Sequence, residues 1–352
     1  MSNARALFPG AMGPDGFISC FDHLIPEQSL KRKLILKGGP GVGKSTFMRR
    51  IHAALCPDGE PSTLYFCSGD PDSLDAVALP DTGLLILDGT APHVVDPQIP
   101  GARDSLINLG ACLDEAAMRL RLPHIRLCMN DHAAASRRAR AYMKAACAVE
   151  LDNSALIDSA VDNAKCLRMT RSLIQTVLSV DAPQDEKAAA RPVITDALTP
   201  KGELSLISEN AQMRVIRLVR HASMDLTNIL ISVRQAVLSA GYALEEHLCP
   251  MIPGRLMHLS IPSLHTLITT SDLLPSEVIY DFASCLPAGG LLRCECALEQ
   301  GRASASLHWQ RAVAAMNQAK QLHDELETFY VPNMDFSAWQ KIFDDTLDSI
   351  RS

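Results

Sequence analysis

The sequence predicts an α/β protein of two tandem three-layer lobes with parallel sheets, each followed by a helical segment, the second lobe a degenerate copy of the first. Three observations predict it. An apolar strand, Leu34-Ile35-Leu36-Lys37, runs into the glycine loop Gly38-Gly39-Pro40-Gly41-Val42-Gly43, then into apolar residues at helical spacing (Phe47, Met48, Ile51, Ala54, Leu55). Two further apolar runs, 63–67 and 83–88, read as strands of the same sheet. The same order of signals recurs after residue 190.

Residues 16–21 form a short extended element after the turn Gly13-Pro14-Asp15-Gly16 and read as a strand or cover beside the sheet, with Phe17 and Phe21 in the core, the commoner place for aromatics at such spacing, or stacked on a nucleotide base. The next strand leads to the loop, where Gly38, Gly43, Lys44 and Ser45 satisfy G-x-x-x-x-G-K-[ST], the Walker A pattern. Glycines let backbone N–H groups close on a polyphosphate, and the following helix adds the positive end of its dipole. The expected cradle is Gly38, Gly39, Pro40, Gly41, Val42, Gly43, Lys44, Ser45 and Thr46, with Lys44 on the β- and γ-phosphates and Ser45 on Mg²⁺.

The strand at 63–67 ends in Ser68-Gly69-Asp70-Pro71-Asp72-Ser73-Leu74-Asp75. Asp70 before Pro71 has the arrangement of a helix cap with proline at the first helical position, so a short crossover to the next strand is expected. That strand, Gly83-Leu84-Leu85-Ile86-Leu87-Asp88, has the Walker B pattern and puts Asp88 on the magnesium side. No glutamate follows Asp88, so a base that activates water has to come from elsewhere: Asp72, Asp75 or His93, each of which also suits a loop-stabilising role. The expected catalytic set is Lys44, Asp88, Asp72 and His93.

Residues 104–178 read as helical, in stretches 104–122 (ended by Pro123), 130–151 and 154–178, forming a lid or antiparallel hairpin. Arg137, Arg140 and Lys144 share one face with Arg138 beside them; a solvated basic face is the commoner meaning, an arginine finger the sharper one. Residues 179–192 change composition and read as a linker, dividing the chain into 1–180 and 191–352. Thr199-Pro200-Lys201-Gly202-Glu203-Leu204-Ser205 then echoes Gly13-Pro14-Asp15-Gly16-Phe17-Ile18-Ser19. Aligning Lys37 with Arg220 lays 221–228 over 38–45, so that Thr227 replaces Lys44, Asp225 brings a negative charge, and Thr270 replaces Asp88. A helical tail, 303–330 and 336–350, closes the chain.

Composition narrows the function. A net charge of −7 and 5% aromatic residues make nucleic acid a poor partner. The start, Met1-Ser2-Asn3-Ala4-Arg5, has no apolar core of signal length, and no run is long enough to cross a bilayer, so a cytoplasmic protein with no membrane partner is expected. Cys128, Cys147 and Cys166 sit in apolar segments as reduced core cysteines do, and Cys294-Glu295-Cys296 lacks the second pair a zinc site needs.

The segments 36–46, 67–75 and 88–93 together resemble a bacterial family of two-lobed P-loop ATP-binding proteins, labelled ATPase-like or nucleotide-kinase-like, and the likeness extends to the ending Leu322-His323-Asp324-Glu325-Leu326-Glu327. In that family the second lobe often keeps a phosphate loop of its own; this chain departs from the pattern. The expectation is an ATP·Mg²⁺-binding P-loop NTPase whose hydrolysis drives a conformational change. A kinase acting on a small-molecule or nucleotide acceptor and a non-catalytic nucleotide sensor are the alternatives.

Overall fold

The computed structural model describes residues 4–180, 182–185, 187–207 and 213–351. Positions 1–3 of the expected leaderless start, and 181 and 186 of the expected linker, lie outside them. The first half contains β1 (Ala4–Leu7), β2 (Gly10–Gly13), β3 (Gly16–Ser19), β4 (Arg32–Lys37), α1 (Lys44–Leu55), β5 (Ser62–Phe66), β6 (Leu74–Leu79), β7 (Leu84–Asp88), β8 (Asp104–Asn108), α2 (Glu115–Asp158) and α3 (Asn163–Val177). The second contains β9 (Ala190–Val193), β10 (Asp196–Thr199), β11 (Gly202–Ser205), β12 (Arg214–Val219), α4 (Thr227–Ser239), β13 (Leu244–Leu248), β14 (Leu256–Ile261), β15 (Thr266–Thr269), β16 (Val278–Asp281), α5 (Glu295–Tyr330) and α6 (Phe336–Arg351).

The protein is α/β with two similar lobes. One sheet has the order β1-β5-β6-β7-β4-β8, and the other, read from its β9 edge, has the matching order β9-β13-β14-β15-β12-β16. Both sheets are mixed rather than parallel, because β6 and β14 run antiparallel to both neighbours. The cause is local. Between β5 and β6 the chain makes a tight turn, with Cys67 N–H bonded to Ser73 O (3.0 Å) and Ser73 N–H to Asp70 O (2.8 Å). Asp70 accepts the Ser73 hydroxyl instead of capping a helix. So short a connection allows a hairpin, whereas a parallel crossover needs about a dozen residues or more.

Two further expectations change. Asp104–Asn108 is an edge strand parallel to β4, not the start of a helix. Asp104 is anchored by the backbone N–H groups of Gln98 and Ile99 and by Arg103. Pro123 does not end a helix either: α2 runs 44 residues through it from an Asp114 cap. Pro123 is exposed, so the carbonyl that it strips of a partner faces water, while packing along α5 holds the helix together.

The long helices α2 and α5 pair along their length and exchange the outer layer of the lobes. The start of α2 meets the end of α5 through Asp114 N–H to Asn333 O (2.9 Å). At the far end, Asn153 lies against Gly301. From there α3 packs Leu173 and Val177 onto the second sheet with Ile216, Leu218 and Leu230. Conversely, α6 brings Trp339 and Phe343 onto Leu34, Phe47 and Ile86 of the first. Each half thus holds one sheet, yet each core includes a helix from the other half. The opposite face of the first sheet is covered not by α-helices but by Phe21 of a short 3-10 turn, Leu24 and Ile25, and by Val193 of the second lobe. That departs from the expected helical sandwich. Beside it, buried Glu245 of β13 is clasped by Arg5 and Arg191, whose guanidinium groups hold its carboxyl well below the usual range against the opposing effect of burial.

Candidate functional site

β4 lies between β7 and β8, and the glycine loop leaves its carboxyl end directly into α1. Gly41 (φ 69°) and Gly43 (φ 82°) occupy the left-handed region, which a side chain would strain. The Lys44 ammonium turns back under the loop, donating to Gly38 O (3.0 Å) and Gly39 O (2.8 Å), and lies 3.5 Å from Asp88 Oδ2. One residue on, the Ser45 hydroxyl accepts the N–H of Leu74 at the start of β6 (3.0 Å). Thr46 is exposed on α1, Pro40 is half-buried, and Val42 is buried beneath the loop.

Asp88 ends β7 in a buried position, its Oδ1 accepting Thr90 N–H (2.8 Å) and the Thr90 hydroxyl (2.6 Å). The antiparallel register that pairs Ala76 with Leu87 sets Asp75 opposite Asp88. Burial, and then the Asp88 charge, push the Asp75 carboxyl up to about 7. His93 completes the group: Asp75, Asp88 and His93 each present a ligand atom within 4.8 Å of the others. Its ring stacks on Phe21 at 4.4 Å, and both ring nitrogens are buried with no hydrogen-bond partner among the described residues. Burial, assisted by Lys44 and opposed by Asp88, lowers its pKa and favours neutral imidazole. Two carboxylates and a neutral imidazole with an idle lone pair make a donor set suited to a divalent cation.

Lys44, Ser45, Asp88 and His93 therefore converge as expected from sequence, while Asp72 stands apart. Its exposed carboxylate pairs with Lys201 of the second lobe (2.6 Å). The turn that replaces the expected helix sends Asp75, not Asp72, inward along β6. Sequence reasoning missed the roof of the loop. The Tyr330 ring lies so close that a Cβ on Gly39 would come within 2.7 Å of it. Trp339 donates its indole N–H to Val42 O (3.1 Å). The spacing of Phe336, Trp339 and Phe343 marks an apolar helix face, but nothing in it names the sheet it covers. The basic face of α2 is solvated, with Arg137 exposed and Lys144 beside Asp15 (3.6 Å).

The second lobe aligns one residue away from the expected register. Leu256 N–H donates to Thr227 Oγ1 as Leu74 N–H does to Ser45 Oγ, so Thr227 occupies the place of Ser45 and Leu226 that of Lys44. Arg220 then falls on Gly38. Thr270 still replaces Asp88, since Thr269 and Leu87 hold matching positions on β15 and β7. Among the described residues no helix is long and apolar enough to cross a membrane. Comparison of the chain with protein-family models, curated proteins and solved structures gives no match.

Proposed function

We propose that the first lobe binds ATP·Mg²⁺ on residues 38–46 and hydrolyses it, with occupancy of the loop conveyed to the helices that roof it. The observation that carries the reading is the meeting of Lys44, Ser45 and Asp88 at the mouth of a glycine loop that opens a helix. Lys44 already bonds two loop carbonyls and can exchange them for phosphate oxygens, while α1 points its N-terminus at the same place. Ser45 and Asp88 would hold Mg²⁺, with Asp75 and His93 within reach of it; the ion would neutralise phosphate charge. In the metal-free chain burial holds the Asp75 carboxyl near 7, and a carboxylate there that stays off the ion is matched to taking a proton at neutral pH, so Asp75 rather than Asp72 is the proposed base. Tyr330 and Trp339 belong to helices that reach the loop from the second half, so a shift of the loop moves them.

The same base would serve a kinase by taking the proton of an acceptor hydroxyl, and the absence of a glutamate after Asp88 favours that second reading. Incubation with γ-labelled ATP and Mg²⁺, with and without a metabolite extract, separates the two. The hydrolase puts all label into free phosphate in both arms. Label in a small molecule supports the kinase, and no label transfer in either arm contradicts both.

A further inference from the structure

The place in the second lobe that corresponds to the glycine loop is a cavity of about 600 Å³, a size that suits a small metabolite. Arg220, Arg255 and Arg302 line it together with Trp309 and the apolar side chains of Met251 and Val313. Where the first lobe has Gly38 and a cradle of backbone N–H groups, the second has the Arg220 guanidinium, which donates to Ala222 O (2.7 Å) and Met224 O (3.0 Å). Arg255 pairs with Asp225 (3.2 Å), but Arg220 and Arg302 have no carboxylate partner within ion-pair distance among the described residues. Arg302 Nη2 donates to His221 Nε2 (3.2 Å), and its Nε is buried with no hydrogen-bond partner among the described residues.

Neighbouring groups register the crowding of guanidinium groups, against the opposing charges of Asp225 and Glu150. Burial and then Arg255 lower the Arg220 pKa, and burial followed by Arg302 and Arg220 lowers that of His221. Forked guanidinium groups match the geometry of oxyanions, and an indole offers a flat apolar wall. Glu150 and Glu203 also line the cavity and would repel a polyanion such as a triphosphate.

We propose that this cavity binds a small organic phosphate monoester, its phosphate held by Arg220 and Arg302 and its apolar body against Trp309. The second lobe has exchanged a backbone cradle for a guanidinium one and serves as a ligand site distinct from the glycine loop.

Phenyl phosphate titrated into the full chain, followed by calorimetry and by Trp309 fluorescence, tests it. One saturable event is expected, weakened about tenfold or more in Arg302→Gln, less in Arg302→Lys, and unchanged in Lys44→Ala. Circular dichroism melts show whether each variant is folded. The Trp309→Phe variant, in which Trp339 is the one tryptophan left, should lose the ligand-induced change in fluorescence and keep the heat. No saturation up to about 10 mM, equal affinity in a folded Arg302→Gln, or loss of the event in Lys44→Ala overturns the proposal. Inorganic phosphate binding as tightly as phenyl phosphate overturns the role given to Trp309. Because Lys44→Ala removes the nucleotide contact and leaves this cavity intact, the outcome is independent of the ATP reading.

Discussion

At the residue scale, the site turns on two carboxylates on adjacent antiparallel strands. Asp88 is held by Thr90 and lies beside Lys44, whereas Asp75 is pushed toward its protonated form by burial and by Asp88. A folded-state pKa raised from 3.8 to about 7 means that the native chain keeps this proton longer than the unfolded one. Its contribution to stability is complete at acid pH and declines as pH rises through that window. Asp75→Asn should therefore melt at a higher temperature than wild type above pH 7, with the difference narrowing as pH falls below 7 and closing only near pH 4, while ATP turnover falls and loses its pH dependence near neutrality. Identical melting-against-pH curves would remove the account of Asp75. Asp88→Asn should raise the Mg²⁺ concentration needed for half-maximal turnover by about tenfold or more while nucleotide affinity changes less, since a charge-assisted contact contributes about 1.5–3 kcal/mol. An unchanged metal titration would place Mg²⁺ elsewhere.

At the element scale, the exchange of outer helices is the organising fact. Trp339 of α6 is buried against Phe47 of α1 and bonds Val42 O, so the last helix of the chain is part of the first lobe's core. Trp339→Ala should cost about 3–5 kcal/mol in urea unfolding and weaken ATP binding as well, because the loop loses its indole anchor. A stability loss below about 1 kcal/mol would mean that α6 does not pack there. The glycine loop was legible in the sequence because its mechanics fix residue type and spacing, and β4 and β7 were legible as apolar runs ending at it. The antiparallel β6 was not: Asp70-Pro71 serves a turn as well as a helix cap, and only the seven-residue length of 67–73 argues for the turn. Once that turn is known, Asp75 rather than Asp72 follows. Pro123 misled because a proline on the wet side of a helix costs little when a neighbouring helix supplies the packing. No periodicity in α3 or α6 says which of two sheets each will cover.

At the scale of the whole molecule, two lobes with the same strand order are locked together by α2, α5 and the exchanged helices, and by Glu245 between Arg5 and Arg191. They have diverged where ligands would bind. The first keeps glycines, Lys44 and Asp88; the second carries Arg220, Leu226 and Thr270 at the matching positions. At these positions the second lobe lacks the glycine cradle, the ammonium and the strand-end carboxylate that would hold Mg²⁺ and a triphosphate, and Glu150 and Glu203 beside Arg220 would repel a polyanion. The proposed function predicts one ATP·Mg²⁺ per chain, on the first lobe. Calorimetry of the full chain with a slowly hydrolysed ATP analogue and Mg²⁺ decides it. The predicted result is a stoichiometry near one, with affinity reduced about tenfold or more in folded Lys44→Ala. Two resolved nucleotide events per chain, or a single event untouched by Lys44→Ala, would contradict it.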